Sequence, residues 1–476
     1  RGKMKITGLL CDINSTIENV MNCINRNTKG IAFIIKEQKL VGVMSDGDVR
    51  RLLLDGYGLK AQIQTHVNSD FVYASDLIEA QEILSRDGWK YRIIPIVDSD
   101  MHVVDYAEYN NNNKHIALAQ PQLEGNEYKY LMEAFLSTWI SSTGKYVSMF
   151  EERFSAYCGV KYGVATSNGT TALHLALTAL GIGKGDEVIV PDITFAATIN
   201  AVIYTGATPV IVDIEEKSWC IDPEKIEEAI TKNTKAIIPV HIYGQICDME
   251  RICSIADKCG LYIVEDCAEA HGAEFAGKKA GSFGKISCFS FFGNKVITTG
   301  EGGMCVTDDK ELEDRMRILR DHGMSKERRY YHEVIGFNYR MTNMQAAIGV
   351  GQLERIDEIL QWRSDLEERY REEINHTPGI IVQENNLPNR KKITWLVSIL
   401  VSEEKRDDII QLMKQRGIDV RAFFIPLSEM DIYKEYAKEC FVSKKISKRG
   451  INLPTTSDIS SDKIQYIISV IKEKIQ

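Results

Sequence analysis

The chain has 476 residues, 44% of them hydrophobic and 26% charged, which is the composition of a folded globular protein with two or three domains. Its formal net charge of −9 argues against a general nucleic-acid-binding protein, because no basic surface offsets the excess of acid. No apolar run reaches the roughly 18 residues of a membrane-spanning helix. The 11 cysteines include no Cys-x-x-Cys pair, so we expect reduced thiols, no bound metal and a cytoplasmic location.

Residues 5–113 are expected to form a separate domain in which one pattern of strands and helices occurs twice. In the first copy, the segments from Gly30 to Ile35 and from Leu40 to Met44 predict a β-hairpin. The segment from Ser45 to Asp48 then predicts the start of a helix. The second copy has a predicted helix, Asp76–Asp87, and two predicted strands, Arg92–Val97 and His102–Asp105.

This doubled pattern resembles a pair of cystathionine-β-synthase (CBS) domains. The best match is the segment GVMSDGDV, which begins at Gly42. The CBS family uses the serine and the last aspartate of this segment, here Ser45 and Asp48, to hold the phosphate and ribose of a nucleotide. The second copy reads Asp105-Tyr106-Ala107-Glu108 and lacks the matching hydroxyl, so the resemblance implies at most one regulatory nucleotide. A plain helix N-cap explains Ser45 equally well.

The polar run from Asn110 to Lys114 is predicted to be a linker. A large domain is expected over residues 114–375, and a small α/β domain over residues 376–476. In the large domain, apolar runs alternate with helical segments, which implies a mostly parallel sheet flanked by helices. Functional side chains then gather at the carboxyl ends of the strands. The predicted strands are Glu187–Val190, Pro209–Val212, Ala236–Val240, Leu261–Val264 and Ile286–Phe292.

The segment from Tyr262 to Gly303 carries the strongest chemical signal. Asp266 follows one predicted strand, and Lys295 follows another just before the turn from Gly300 to Gly303. A lysine amine forms a Schiff base with an aldehyde, and a carboxylate keeps a pyridine nitrogen protonated, so this pair favours pyridoxal phosphate (PLP) as the cofactor. Either residue alone is more simply explained as a buried acid or a loop lysine. The loop from Ala165 to Thr171 opens a helix and suits a phosphate, although a plain N-cap explains it as well.

From about Ile116 onward the chain resembles the DegT/DnrJ/EryC1/StrS family, which are PLP-dependent aminotransferases of nucleotide-linked sugars with the type I fold. The resemblance rests on the segments SNGTTALHLAL, VPDITFAATINAV, PVHIYG, VEDCAEAHGA, GSFGKISCFSFFGNKVITTGEGGM, LRDHG and GFNYRMTNMQAAIG. It implies that Lys295 binds the cofactor aldehyde and that Asp266 pairs with the pyridine nitrogen. The other implied contacts are Phe195 on the ring, Glu269 at the 3-hydroxyl, Gly169, Thr170 and Ser290 at the phosphate, and Asn338 from a second subunit. A homodimer or higher homo-oligomer with shared sites is therefore implied.

Within this family the C-terminal end is most similar to GDP-perosamine synthases, which aminate GDP-4-keto-6-deoxymannose at C4. Those enzymes favour Arg-Pro-Phe-Phe-Tyr-Pro where this chain reads RAFFIP from Arg421 to Pro426. The resemblance implies glutamate as the amino donor, a role in surface polysaccharide biosynthesis, and substrate contacts at Arg421 and His322. A surface salt bridge explains Arg421 equally well.

Two other functions were weighed against transamination. In the branch of the fold that dehydrates sugars at C3, histidine replaces the lysine that binds the cofactor, whereas Lys295 is present here. A non-catalytic regulator with a CBS-like sensor is expected to have lost Lys295, Asp266 or the Gly-Glu-Gly-Gly turn, and all three are intact. Transamination is therefore the function that the sequence favours.

Overall fold

The computed structural model describes residues 6–27, 29–76, 79–80, 83–84, 92–108, 116–375 and 377–475. The chain divides into two compact units, Arg1–Ile116 and Ala117–Gln476. The predicted linker at 110–114 and most of the predicted helix at 76–87 lie outside the described residues. Within the described ranges, no helix combines the length and the apolar character that crossing a membrane requires.

The N-terminal unit contains the predicted hairpin and the two strands predicted for the second copy. Its described elements are β1 (Leu10–Asp12), α1 (Ile17–Asn27), β2 (Ile31–Lys36), β3 (Lys39–Ser45), α2 (Asp46–Leu54), β4 (Ile93–Val97) and β5 (Val103–Glu108). β1 is parallel to β2, β2 is antiparallel to β3, and β4 is antiparallel to β5. The first copy is thus a βαββα unit. Its Phe33 and Leu40 share a hydrophobic cluster with Ile93 and Val97 of the second copy, so the two copies have a common core.

Ser45 and Asp48 are hydrogen-bonded to each other at the start of α2. The Ser45 hydroxyl accepts the amide N–H of Asp48, and Oδ2 of Asp48 accepts the amide N–H and the hydroxyl of Ser45 at 2.7 and 2.6 Å. The other carboxylate oxygen of Asp48 pairs with Arg51. These bonds form a complete capping box, which is the structural alternative that the sequence left open.

The C-terminal unit alternates strands and helices. Its strands are β6 (Tyr162–Thr166), β7 (Glu187–Pro191), β8 (Thr208–Val212), β9 (Thr234–Ile237), β10 (Tyr262–Asp266), β11 (Glu274–Phe275), β12 (Lys278–Lys279), β13 (Ile286–Ser290), β14 (Gly303–Thr307), β15 (Ile381–Val382), β16 (Arg390–Lys391), β17 (Val397–Leu400), β18 (Arg421–Ala422) and β19 (Gly450–Leu453). Its helices are α3 (Glu127–Leu136), α4 (Lys145–Cys158), α5 (Gly169–Ala179), α6 (Ala197–Tyr204), α7 (Pro223–Ala229), α8 (Met249–Cys259), α9 (Lys310–Arg320), α10 (Asn343–Glu354), α11 (Ile356–Ile374), α12 (Glu403–Gln415), α13 (Phe441–Ser447) and α14 (Ser461–Ile475).

A seven-stranded sheet in the order β6-β14-β13-β10-β9-β7-β8 forms the centre of this unit. Its neighbouring strands are parallel except at β14, which is antiparallel to both β13 and β6. The sheet is therefore mostly parallel, as expected, and is mixed only because of the antiparallel strand β14. The sequence did not reveal β14 because its first residue belongs to a glycine-dense run that reads as a turn.

The end of β10 differs from the sequence-based prediction, which placed it at Val264. β10 extends through Glu265 and Asp266, because their backbones pair with Ser287 and Cys288 of β13. Further along the chain, Arg355 has a φ of −113° and a ψ of 10° and separates α10 from α11. Helix α11 then leads into the small sheet of order β15-β17-β19-β18.

Asp192 joins the residues after β7 to the C-terminal segments. Its carboxylate accepts the amide N–H and hydroxyl of Ser428 at 2.7 and 2.9 Å, and the hydroxyl of Ser443 at 2.5 Å. Burial raises the pKa of Asp192 in spite of these donors. Because Asp192 follows the carboxyl end of β7, these bonds hold the residues around Ser428 close to the edge of the sheet where the predicted site lies.

Candidate active site

Lys295 lies in the turn that follows β13, where its amide N–H donates to the carbonyl oxygen of Phe292 at 2.9 Å. Its amine Nζ is 3.5 Å from Oε1 of Glu269. The same atom is 4.1 Å from the centroid of the Trp395 ring, which makes a cation–π contact. The reactive amine therefore lies between a carboxylate from the large domain and an indole from the C-terminal end of the chain.

Asp266 is the last residue of β10 and is buried. Its Oδ2 atom accepts the hydroxyl of Thr198 at 2.8 Å, and Oδ1 accepts the amide N–H of Ala268 at 3.2 Å. Burial raises the pKa of Asp266, while Thr198 and the nearby charge of Lys295 oppose the increase. A carboxylate held in this way is available to a cationic partner such as a protonated ring nitrogen.

Glu265, the neighbour of Asp266, belongs to the structure and not to the site. Its carboxylate accepts the amide N–H groups of Gly281, Phe283 and Gly284 and the hydroxyl of Ser287, all within 3.0 Å. Burial alone would raise the pKa of Glu265, but these donors and His241 hold it below its ordinary value. Successive strand residues point to opposite faces, so only one of the two adjacent acids faces the site.

His241 also follows a predicted strand, and its ring is buried against Glu265. Nδ1 accepts the amide N–H of Cys247 at 3.2 Å, so Nε2 carries the proton and donates it to Glu265 at 2.9 Å. Donor atoms of His241, Glu265 and Cys267 approach within 4.8 Å of one another, a spacing that suits a metal ion. Hydrogen bonds already occupy both oxygens of the Glu265 carboxylate. We therefore interpret this cluster as a structural hydrogen-bond network and not as a metal site.

Glu269 completes the buried group around Lys295. Its Oε2 atom accepts the amide N–H of Tyr243 at 2.8 Å, which leaves Oε1 facing the lysine amine. Burial raises the pKa of Glu269 to about 7, and the positive charge of Lys295 limits the increase. The carboxyl group is therefore poised to change charge near neutral pH.

The predicted phosphate residues come together at the start of α5. Gly169 is the first residue of the helix, and Asn168 caps it by accepting the amide N–H of Thr171. A Cβ atom on Gly169 would lie 2.8 Å from Cβ of Ser290, so the glycine allows the helix N-terminus to approach β13. Thr170, the second residue of the helix, is half-buried. Free amide groups at a helix N-terminus, with a serine hydroxyl beside them, suit a phosphate group.

Phe195 and Phe424 lie near each other, with ring centroids 6.0 Å apart. Phe195 is 61% exposed, which is high for a phenylalanine in a tightly packed unit and suits a ring that stacks on a ligand. Arg421 is exposed on β18, where it pairs with Asn452 of β19.

Asn338 and His322 lie together in a loop whose neighbouring residues contact the phosphate segment of the same chain. The carbonyl oxygen of Tyr339 accepts the amide N–H of Ser167 at 2.8 Å. Asn338 is exposed and accepts hydrogen bonds from Arg340 at 3.0 and 3.2 Å. His322 is exposed too, has a left-handed φ of 60°, and its Nε2 atom is 3.2 Å from Arg340.

Sequence reasoning did not single out three residues of the site: Thr198, Tyr243 and Trp395. The first two are present in the segments VPDITFAATINAV and PVHIYG, so the resemblance contained them without giving them roles. Trp395 lies 100 residues after Lys295 in another part of the chain, and no local pattern reveals such a contact.

These residues fit PLP. A buried acid, an amine beside a second carboxyl group, and a helix N-terminus with a glycine-dependent close approach match its pyridine nitrogen, aldehyde and phosphate. Residues 121–472 match the family model described as the DegT/DnrJ/EryC1/StrS aminotransferase family. The chain belongs to this family. It is a PLP-dependent aminotransferase that acts on sugars, as its relatives are.

Individual relatives cover the same part of the chain. GDP-perosamine synthase from Caulobacter vibrioides is 44% identical over 362 residues, which are 75% of this chain and 98% of that protein. GDP-perosamine synthase from Escherichia coli O157:H7 is 44% identical over 361 residues, 76% of this chain and 98% of that protein. Among solved structures, the PLP form of Spr1654 from Streptococcus pneumoniae has a TM-score of 0.72 and 29% identity, and the match covers 76% of this chain and all of that one.

Proposed function

We propose that this aminotransferase transfers the amino group of glutamate to C4 of GDP-4-keto-6-deoxymannose, as a step in the biosynthesis of a surface polysaccharide. The observation that supports this substrate most strongly is the 44% identity to GDP-perosamine synthase over 98% of that enzyme. The intact group of Lys295, Asp266 and Glu269 favours transamination over both sugar 3-dehydration and a purely regulatory role.

PLP, when bound, supplies an aldehyde that carries the amino group and a pyridine ring that withdraws electrons from the reacting carbon. In our proposal Nζ of Lys295 would hold the cofactor at its aldehyde group, and the same amine would move the proton at Cα of glutamate. Asp266 holds the proton on the pyridine nitrogen, because its buried carboxylate favours a cationic partner. Glu269 faces the 3-hydroxyl group, and Phe195 covers the ring.

We also assign the outer contacts. Gly169, Thr170 and Ser290 hold the phosphate of the cofactor, and Asn338 reaches the same phosphate in a second subunit, so the proposed enzyme is a homodimer with shared sites. Arg421 and His322 are exposed and available to the charged groups of the sugar nucleotide. We place the boundary of the small domain near residue 376, after α11.

The substrate is tested with a panel of keto-sugar nucleotides and glutamate. GDP-linked and dTDP-linked 4-keto-6-deoxy sugars are compared with a UDP-linked 3-keto sugar, and the amino-sugar product is identified by mass spectrometry. We expect kcat/KM to be highest for GDP-4-keto-6-deoxymannose, with no product from the Lys295→Ala variant. Higher kcat/KM with the 3-keto sugar would overturn the proposed substrate.

For the N-terminal unit we propose a CBS-like domain that binds one nucleotide at most. The βαββα arrangement of its first copy and the core shared with the second copy support this assignment. A nucleotide at Ser45 and Asp48 has to replace the hydrogen bonds that these residues make with each other. Calorimetric titration of the full chain with adenine and guanine nucleotides, with Asp48→Asn as the control, tests the site. If no heat and no change in rate appear at millimolar nucleotide, the unit serves assembly instead.

A further inference from the structure

Tyr243 has a strained backbone at the buried centre of the site. Its φ of 52° and ψ of 29° lie in the left-handed region, which bulky residues rarely adopt. Its side chain is fully buried. The next residue, Gly244, has a φ of 88°, and a Cβ atom there would overlap the carbonyl oxygen of Ile393. This tight turn is therefore fixed by what surrounds it, and its strain calls for a functional explanation.

The backbone of Tyr243 contacts the group that surrounds the lysine. Its amide N–H donates to Oε2 of Glu269 at 2.8 Å. With that oxygen occupied, the other oxygen of Glu269 is directed to Nζ of Lys295 at 3.5 Å. The left-handed turn thus sets the orientation of the carboxyl group next to the reactive amine.

The side chain of Tyr243 contacts another part of the same chain, the segment from Arg421 to Pro426. Its hydroxyl oxygen accepts the amide N–H of Phe424 at 3.0 Å. Its ring stacks on that of Phe424, with centroids 5.5 Å apart and planes inclined by 24°.

Trp395 connects the same ring to Lys295. The rings of Tyr243 and Trp395 are nearly parallel, with an angle of 15° and centroids 6.2 Å apart. The lysine amine lies 4.1 Å from the indole centroid. A row of three aromatic rings therefore runs from the lysine amine to Phe424, which lies beside Phe195 at the outer part of the site.

We propose that Tyr243 is a positioning residue that couples the segment from Arg421 to Pro426 to the pair formed by Glu269 and Lys295. The hydroxyl of Tyr243 binds the segment from Arg421 to Pro426. Its ring and its strained backbone amide orient Glu269 and Lys295. The coupling to the sugar rests on the proposed function, in which this segment contacts the sugar nucleotide. The two halves of the residue are therefore separable by substitution.

The test compares Tyr243→Phe with Tyr243→Leu in the full-length enzyme with PLP bound. Phenylalanine keeps the ring and the amide but leaves the Phe424 N–H without its acceptor, so KM for the sugar nucleotide should rise about five- to tenfold. The half-reaction with glutamate and the pH midpoint of the cofactor absorbance should stay at wild-type values. Leucine removes the aromatic stack as well, so the pH midpoint of the cofactor absorbance should move by about 0.5 pH unit or more. Besides Tyr243, the groups that face Glu269 in this titration are Lys295 and Asp266.

Tyr370→Phe is the matched control, because Tyr370 is also fully buried and its hydroxyl donates one hydrogen bond, to the carbonyl oxygen of Pro454 at 3.0 Å. It should reproduce any general loss of stability without changing KM or the midpoint. The proposal is overturned if Tyr243→Phe changes KM less than twofold, if both half-reactions slow equally, or if phenylalanine fails to restore the midpoint that leucine shifts. If the wild-type enzyme does not turn over the sugar nucleotide, the proposed substrate fails, while the midpoints of the two variants still decide the role of Tyr243 toward Glu269.

Discussion

The amine of Lys295 lies 3.5 Å from Oε1 of Glu269, in a part of the protein from which water is largely excluded. The pKa of Glu269 is raised to about 7 by burial, so the charge of its carboxyl group changes near neutral pH.

Glu269→Gln should stabilise the protein without cofactor at alkaline pH. A carboxyl group with a pKa of 4.5 when unfolded and about 7 when folded binds more protons in the folded state, so stability falls as pH rises between these values. Above pH 7 the full penalty is on the order of 3 kcal/mol, and glutamine removes it. Thermal unfolding at pH 8 should show a higher Tm for the variant, and the difference should disappear below pH 4.5. An equal difference at both pH values would contradict this assignment.

Asp266→Asn should leave the fold intact and lower kcat by roughly a hundredfold or more, because the charge opposite the ring nitrogen is lost in a low-dielectric site. Steady-state kinetics with glutamate measure the effect, and circular dichroism checks the fold. A loss below about threefold would mean that this carboxylate has a structural role.

Glu265→Gln, one residue away, should lower stability and leave kcat nearly unchanged, which is the opposite of the effect expected for Asp266→Asn. The carboxylate of Glu265 accepts hydrogen bonds from three backbone amides, and an amide side chain cannot replace all of them. We expect the free energy of unfolding to fall by roughly 2–4 kcal/mol, with kcat close to wild type in the folded fraction. Denaturant unfolding of this variant beside Asp266→Asn separates the two acids. Equal stability of the two variants would be evidence against the structural role of Glu265.

Gly169→Ala should weaken cofactor binding about tenfold or more, because the added Cβ lies 2.8 Å from Cβ of Ser290 and must push the helix N-terminus away from β13. Titration of the cofactor-free protein with PLP measures the change. Gly183→Ala is the control, since a Cβ there meets only the carbonyl oxygen of Thr205 at an ordinary 3.6 Å. Similar affinities in the two variants would argue against the phosphate site.

Mixed dimers of Lys295→Ala and Asn338→Ala subunits should recover part of the activity that each variant lacks alone. If Asn338 acts across the interface, one site of each hybrid combines Lys295 from the Asn338→Ala subunit with Asn338 from the Lys295→Ala subunit. That site then has both intact residues. Activity is measured after subunit exchange, which a tagged subunit confirms by co-purification. Proven exchange without recovery would place Asn338 in the site of its own chain.

The sequence allowed site residues to be predicted where they lie close together along the chain. It did not allow this for residues that meet only in the folded protein. Lys295 and Asp266 were predictable because each follows an apolar strand within one recognisable stretch. The choice of Asp266 over Glu265 rested on the family resemblance, because strand alternation does not say which face lies against backbone amides. The structure supplies that reason, since backbone amides occupy the carboxylate of Glu265. Tyr243 and Trp395 act through contacts with residues far along the chain.

The reversed strand β14 has a consequence for how the site comes into existence. Its first residue, Gly303, pairs with Thr166 on one side and with Ser290 on the other, so this single residue bridges the two walls of the phosphate site. A Cβ atom on Gly303 would overlap the carbonyl oxygen of Asn168, just before the helix that faces the phosphate. The walls are therefore assembled by pairing between segments that leave the ribosome far apart in time. A nascent chain that ends before β14 lacks the strand that pairs with both walls, so we expect stable cofactor binding only after β14 has been synthesised and has joined the sheet.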